Sequence, residues 1–263
     1  MDLEISGSSA ILTASSSGLG KESAKSLARE GANVVINGRD SDRLSDAASE
    51  IRAVATGEVL TEAGDITDPE TSTRLIERTV DSFGGLDIVV TSAGGPPPMR
   101  PLEPADSDWY DTFELLVLSV VRLIRESTDH LTADNGGAVV HITSMAAKEP
   151  SMRNVLSSSV RPSVIGFEKT LAAELAPDVR VNAVLPGAHD TPRIQEMGMA
   201  AVERGEYETY EDVVQNRAAS IPLNRIGNAG SFGDLVAFLC SDRASFITGA
   251  AIPVDGGVGS TMF

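Results

Sequence analysis

The chain has 263 residues, 41% hydrophobic and 22% charged, enough for one large domain that needs neither disulfides nor a metal to fold. A single cysteine, Cys240, and three histidines, His130, His141 and His189, argue against a disulfide framework, a cysteine-based zinc site and a His-rich metal centre. The net charge of −17 disfavours nucleic acid and anionic membrane as partners.

The acids are dispersed rather than gathered in a tail, and only four lysines (Lys21, Lys25, Lys148, Lys169) stand against 17 arginines. Adaptation to concentrated salt is the expectation, with an ordinary acidic enzyme as the alternative. No apolar run approaches the roughly 18 residues of a membrane span. The Met-Asp-Leu-Glu start has neither the basic residues nor the apolar stretch of a secretory signal. A cytoplasmic protein is expected.

In chain order, short apolar runs alternate with amphipathic stretches. Strands are expected at 9–13, 33–37, 59–63, 86–90, 138–143, 180–185 and 251–254. Helices are expected between them, near 19–30, 41–54, 69–83, 106–131, 155–176 and 230–240. Such alternation implies βαβ units. The expected fold is α/β, a Rossmann-type doubly wound, seven-stranded parallel sheet in three layers. No linker divides it, so 1–263 reads as a single domain. The polar segment 193–220, with Tyr207 and Tyr210, breaks the rhythm and reads as a substrate lid.

The first strand ends in Thr13-Ala14-Ser15-Ser16-Ser17-Gly18-Leu19-Gly20, and a helix follows. Small residues let a backbone approach a pyrophosphate, and a helix N-terminus supplies N–H donors and positive dipole. The second strand runs into Asn37-Gly38-Arg39-Asp40. An NAD site places a carboxylate at this strand tip, whereas Arg39 suits a 2′-phosphate, so NADP(H) is favoured over NAD(H). Asp40 turning inward would favour NAD(H).

The loop resembles that of the short-chain dehydrogenase/reductase family, whose motif Thr-Gly-x-x-x-Gly-x-Gly stands here with Ala14 at the first glycine. The resemblance runs over essentially the whole chain. Asp65-Ile66 is similar to the family's adenine-contacting pair. Thr91-Ser92-Ala93-Gly94 is similar to its Asn-Asn-Ala-Gly turn with both Asn replaced. Val181-Asn182-Ala183-Val184-Leu185-Pro186-Gly187 resembles the loop leading to the nicotinamide. Thr191 stands where the family's threonine meets the carboxamide. Residues 222–227, 238–242 and 247–249, with Val254-Asp255-Gly256-Gly257, repeat its closing pattern. The resemblance implies dinucleotide contacts from Thr13, Ser15, Ser16, Ser17, Gly18, Leu19, Gly20, Arg39, Asp65, Ile66, Ala93, Gly94, Arg161, Pro186, Gly187 and Thr191.

It also implies hydride transfer between nicotinamide and a small-molecule carbonyl or alcohol, normally through Asn, Ser, Tyr and Lys. Ser144 stands at the family serine. Ser157 stands where Tyr is expected, Arg161 where Lys is expected, and Leu116 at the Asn. The implied catalytic residues are Ser144, Ser157 and Arg161, with His189, water or a lid tyrosine as other proton sources. A serine hydroxyl is a far weaker acid than a phenol, and arginine keeps its proton. A non-catalytic dinucleotide sensor or scaffold, and a dehydratase or isomerase on the same fold, stay open.

Lys148 and Arg153, after strand five at the pocket mouth, would suit an acidic or phosphorylated substrate. Pro162 leaves two possibilities: a helix that starts there, separating Ser157 from Arg161, or an earlier start with a proline inside. Family members pair as dimers or tetramers, and the apolar run 115–121 suits either that burial or the core.

Overall fold

In the computed structural model, which describes residues 2–133 and 136–261, the apolar runs become seven strands. They are β1 (Ser9–Leu12), β2 (Asn33–Gly38), β3 (Val59–Ala63), β4 (Ile88–Thr91), β5 (Gly137–Ile142), β6 (Val179–Pro186) and β7 (Ala251–Val254). Residues 1, 134–135 and 262–263, including both ends of the expected domain, lie outside the described residues.

All strand pairs are parallel, in the order β3-β2-β1-β4-β5-β6-β7. Neighbouring residues on one strand serve opposite layers. Ala10 and Leu12 pack on one face of the sheet and Ile11 on the other, as do Val140 and Val139. Burial on both faces is why the inner strands read as continuous apolar runs rather than alternating ones. The chain winds outward from β1 to β3, then returns to place β4 on the other side of β1. That reversal leaves a crevice at the carboxyl ends of β1 and β4.

The helices are α1 (Gly18–Arg29), α2 (Ser41–Arg52), α3 (Pro69–Phe83), α4 (Asp106–Phe113), α5 (Ser119–Leu131), α6 (Val155–Glu174), α7 (Pro192–Glu203), α8 (Tyr210–Ala219) and α9 (Ala229–Cys240). Two features depart from the sequence expectations, and a third decides between the alternatives left open at Pro162. The helix expected over 106–131 is interrupted by a π turn, Glu114–Leu118, between α4 and α5. Segment 193–220 folds as α7 and α8, each capped by a threonine, Thr191 and Thr209. Helix α6 begins at Val155 and runs through Pro162, which lies on its exposed face. Ser157 and Arg161 are therefore one turn apart on a helix.

Leu116, Val117 and Val120 of the 115–121 run are buried within the chain, Leu116 and Val117 against Val160 and Val164 of α6. Cys240 is buried at the end of α9, and burial pushes its thiol up to about 12.

Two buried ionisable groups set opposing pH slopes. His141 donates or accepts one bond, Nδ1 to Thr91 Oγ1 at 2.7 Å, and its Nε2 has no partner among the described residues. Burial lowers its pKa to about 4, so stability falls as pH drops from 6.5 towards 4, where only the unfolded chain takes the proton. Both carboxylate oxygens of Glu168 are buried without a partner among the described residues, and burial raises its pKa to about 7. Its folded form keeps a proton that the unfolded chain releases near 4.5, so stability falls as pH rises from 4.5 through 7. Glu168→Gln should therefore melt roughly 3–6 °C higher than the parent at pH 8, and the gain should vanish below pH 4.5. Thermal melts across that range test this; a pH-independent difference overturns it.

Candidate active site

The crevice is walled first by the 13–20 loop, and its side chains divide into two sets. Thr13 Oγ1 donates to Ser92 O at 2.7 Å and accepts from Ser92 N–H at 2.8 Å, fastening the end of β1 to the turn after β4. Ser15 Oγ is buried, donates to Leu12 O at 2.7 Å and accepts from Asn37 N–H at 3.0 Å. The Asn37 side chain accepts from Ala14 N–H and donates to Glu62 O and Gly64 O. The Thr13 and Ser15 side chains thus hold the loop's shape, which leaves contact with a ligand to the loop's backbone.

Ser16, Ser17, Gly18, Leu19 and Gly20 carry the chain into α1. Ser17 is the N-cap, extended at φ −164° and ψ 171°, and its hydroxyl caps nothing. The first-turn N–H groups of α1 keep their donors and partial positive charge for an anion. A Cβ on Gly20 would stand 2.8 Å from Ala14 O and 3.1 Å from Ser15 Cα, so only glycine fits there. Gly18 has φ +59°, and a Cβ on it would lie 3.8 Å from the Thr191 side chain across the crevice. Ala14, with φ +45°, occupies a left-handed conformation that costs a non-glycine residue about 1–2 kcal/mol. These backbone features fit a dinucleotide pyrophosphate.

At the tip of β2, Asp40 caps α2, accepting from Asp42 and Arg43 N–H groups at 3.1 and 3.0 Å. Its carboxylate does not turn into the crevice. Arg39 is largely exposed, its Nη1 3.7 Å from Asp65 Oδ2, and Asp65 also accepts from Thr67. Ile66 follows, half-buried.

On the other side of β4, Ser144 lies two residues past the end of β5 and caps a single 3₁₀ turn, Met145–Ala147. Its Oγ accepts from Ala146 N–H at 3.1 Å, which leaves its own O–H free. Ser157 Oγ accepts from Arg161 Nε at 3.0 Å and likewise keeps its O–H. Arg161 is 7% exposed, and its Nη2 donates to Gly94 O at 3.4 Å. Burial, with Arg193 nearby, lowers its pKa to about 10, so it stays cationic at neutral pH. Ala93 packs beside Leu116 and Val160, so the position expected for Asn is apolar and buried.

Sequence reasoning missed Arg193. It stands second in α7, and its Nη2 donates to Pro96 O at 3.3 Å. The signal was present: Thr191-Pro192 is an N-cap followed by a first-turn proline, which places Arg193 at a helix start beside a site residue.

The other proton sources are otherwise engaged. His189 is buried edge-on against Phe232, with ring centroids 5.2 Å apart, and its Nδ1 lies 3.2 Å from Gly187 O. Burial lowers its pKa. With Phe232, Gly227 and Arg225 it lines a cavity of about 140 Å³. The Tyr207 hydroxyl donates to Asn216 of α8, and the Tyr210 ring packs on Gly198. Pro186 and Gly187 end β6, where a Cβ on Gly187 would meet Asp255 Cα at 2.8 Å. Thr191 caps α7. Lys148 is half-buried and Arg153 exposed. Among the described residues no group of three or more His, Cys, Asp or Glu could hold a metal, and no helix is long and apolar enough to cross a membrane.

A family model described as enoyl-(acyl carrier protein) reductase matches residues 13–259. A short-chain dehydrogenase/reductase, SDRA, of Arabidopsis thaliana is 32% identical, over 98% of this chain and 97% of its own length. A cis-4-hydroxycyclohexanecarboxylate dehydrogenase of Sinomonas cyclohexanicum is 32% identical, over 94% and 95%. Among solved structures, the L-sorbose reductase of Gluconobacter frateurii complexed with NADPH and L-sorbose is 34% identical, with a TM-score of 0.95 and full coverage of both chains.

Proposed function

The chain belongs to the short-chain dehydrogenase/reductase family, and from that premise we propose that it is an NADP(H)-preferring oxidoreductase that interconverts a carbonyl and an alcohol with an atypical catalytic centre. Oxidoreduction is the activity that the names of its relatives share, and the L-sorbose reductase structure holds NADPH. The observation that carries the reading is the cradle at the N-terminus of α1. There Gly20 admits no side chain, and the first-turn donors are left open. Arg39, freed of competition by the capping role of Asp40, supports preference for a 2′-phosphate.

A bound nicotinamide supplies the hydride to the carbonyl carbon, or takes it from the alcohol. The chain's own residues handle the oxygen. Ser144 donates its free O–H to the substrate oxygen and orients it. Ser157, its lone pair held by the Arg161 guanidinium, donates its proton to the developing alkoxide and recovers one from water. Arg161 does not transfer a proton; its charge makes the hydroxyl a better acid. This arrangement stands in for the family's Tyr and Lys.

Titration calorimetry should give micromolar binding of NADPH and at least tenfold weaker binding of NADH. A carbonyl screen should then find turnover that Ser144→Ala lowers about 10²-fold. Tighter NADH binding overturns the cofactor preference, and unchanged turnover in Ser144→Ala overturns the role of Ser144. Cofactor binding with no turnover of any carbonyl favours the sensor.

The same reading takes 1–263 as one cytoplasmic domain with α7 and α8 as its lid, assembled as a homo-oligomer. The dispersed acids imply salt dependence. The melting temperature should rise between dilute buffer and multimolar KCl, and equal values would discard halophilic adaptation.

A further inference from the structure

Several arginines of this acidic chain pair with carboxylates, Arg29 with Asp234, Arg74 with Glu62, Arg204 with Glu206 and Arg243 with Glu4, while others, such as Arg78 and Arg125, stand exposed to solvent. Two arginines at the crevice pair with no carboxylate among the described residues. Arg161 and Arg193 converge instead on the turn after β4, donating to carbonyls two residues apart, Gly94 O and Pro96 O. Arg161 is the more costly of the two, because a buried guanidinium without a counterion forfeits its hydration. Their mutual repulsion adds to that cost.

The surroundings leave room for a counterion. A Cβ on Gly94 would touch nothing within 4 Å, and the nearest atoms to one on Gly95 would be those of the Arg193 guanidinium, at 3.5 Å. Arg161 Nη1 donates to no protein group among the described residues. The N-terminus of α7, which carries Arg193, adds the positive end of a twelve-residue helix.

We infer that Arg161 and Arg193 form an oxyanion site beside Ser144 and Ser157, so that the carbonyl substrate carries a carboxylate or a phosphate. This rests on the oxidoreductase reading. Arg161, at the floor, both holds Ser157 and meets the anion. Arg193, exposed at the rim, acts as the specificity-determining residue. Glycines at 94 and 95 keep the anion's approach open.

The test has a binding arm and a turnover arm. Inorganic phosphate is titrated into the protein–NADPH complex at fixed ionic strength, for the parent and for Arg193→Gln. The variant should weaken phosphate by about 10- to 100-fold, with its NADPH affinity within twofold of the parent. Turnover is then compared for 4-oxopentanoate, its neutral methyl ester and 4-oxopentyl phosphate. One of the two anions should show a KM at least about tenfold below that of the ester, and that advantage should vanish in Arg193→Gln. The preferred anion separates the carboxylate from the phosphate source.

Phosphate binding unaffected by Arg193→Gln, or an ester reduced as well as both anions, overturns the inference. If NADPH does not bind, or none of the ketones is reduced, the oxidoreductase reading fails. The phosphate arm, repeated without NADPH, still decides the anion site.

Discussion

Arg161→Met is expected to lower kcat for carbonyl reduction by about 10²- to 10⁴-fold while raising the melting temperature by a few degrees. The two effects share one origin. The guanidinium is buried without a counterion among the described residues, so an apolar side chain of similar volume removes a desolvated charge and stabilises the fold. The same charge is what polarises Ser157 through the 3.0 Å bond from Nε. A lost activity that came from unfolding would lower the melt, so the opposed directions identify a functional role. Ser157→Ala should cost a similar factor, and the double variant should be no worse than either single one, because the two residues act as a unit. Additive losses, or kcat within threefold of the parent, would reject the pairing. Arg161→Lys should keep part of the activity, since the charge remains while the fork geometry is lost.

Gly20→Ala should weaken NADPH binding by roughly 5- to 150-fold, the range of an overpacked contact of about 1–3 kcal/mol. The added methyl would stand 2.8 Å from a backbone oxygen, which no side-chain rotation can relieve. The loop must shift, and the N–H donors of α1 shift with it. Ala14→Gly moves the other way. It removes the cost of a left-handed alanine, partly offset by the greater freedom of an unfolded glycine, and should stabilise the fold by about 0.5–1 kcal/mol. Calorimetry with NADPH, beside thermal melts, reads both; undiminished binding in Gly20→Ala would mean the anion sits elsewhere.

Much of the architecture was legible because it depends on local pattern. Strands buried on both faces announce themselves as apolar runs, and the seven fell within one or two residues of their expected places. The 13–20 loop was legible because close packing of α1 on β1 admits only glycine at 20. Two helices were missed, α7 and α8, since each buries so little: Gly198 and Ala201 in one, Val213 in the other. Stripes that narrow leave no periodicity to find, although Thr209 and Asp212 form a capping box and Thr191 precedes a proline.

Pro162 was ambiguous because the rule against proline in a helix is local, whereas the outcome here follows from its lying on the solvent side. The candidate site was half legible. Its residues could be named, but Arg161 meets the turn after β4 across 67 positions and Arg193 across 97. No pattern along the chain reports such encounters. The inward turn of Thr13 and Ser15 was hidden for the same reason: a short hydroxyl in a loop can face either way.

The lone thiol of Cys240 makes the protein its own reporter. The thiolate is the form that reacts, and this one is both shielded and held protonated to about 12, so alkylating reagents wait for α9 to open. Helix α9 packs against α1, the helix whose first turn faces the crevice. A ligand bound there must slow labelling in proportion to its occupancy of the closed form. The rate at which a single sulfur takes up a probe thus becomes a clock for ligand binding.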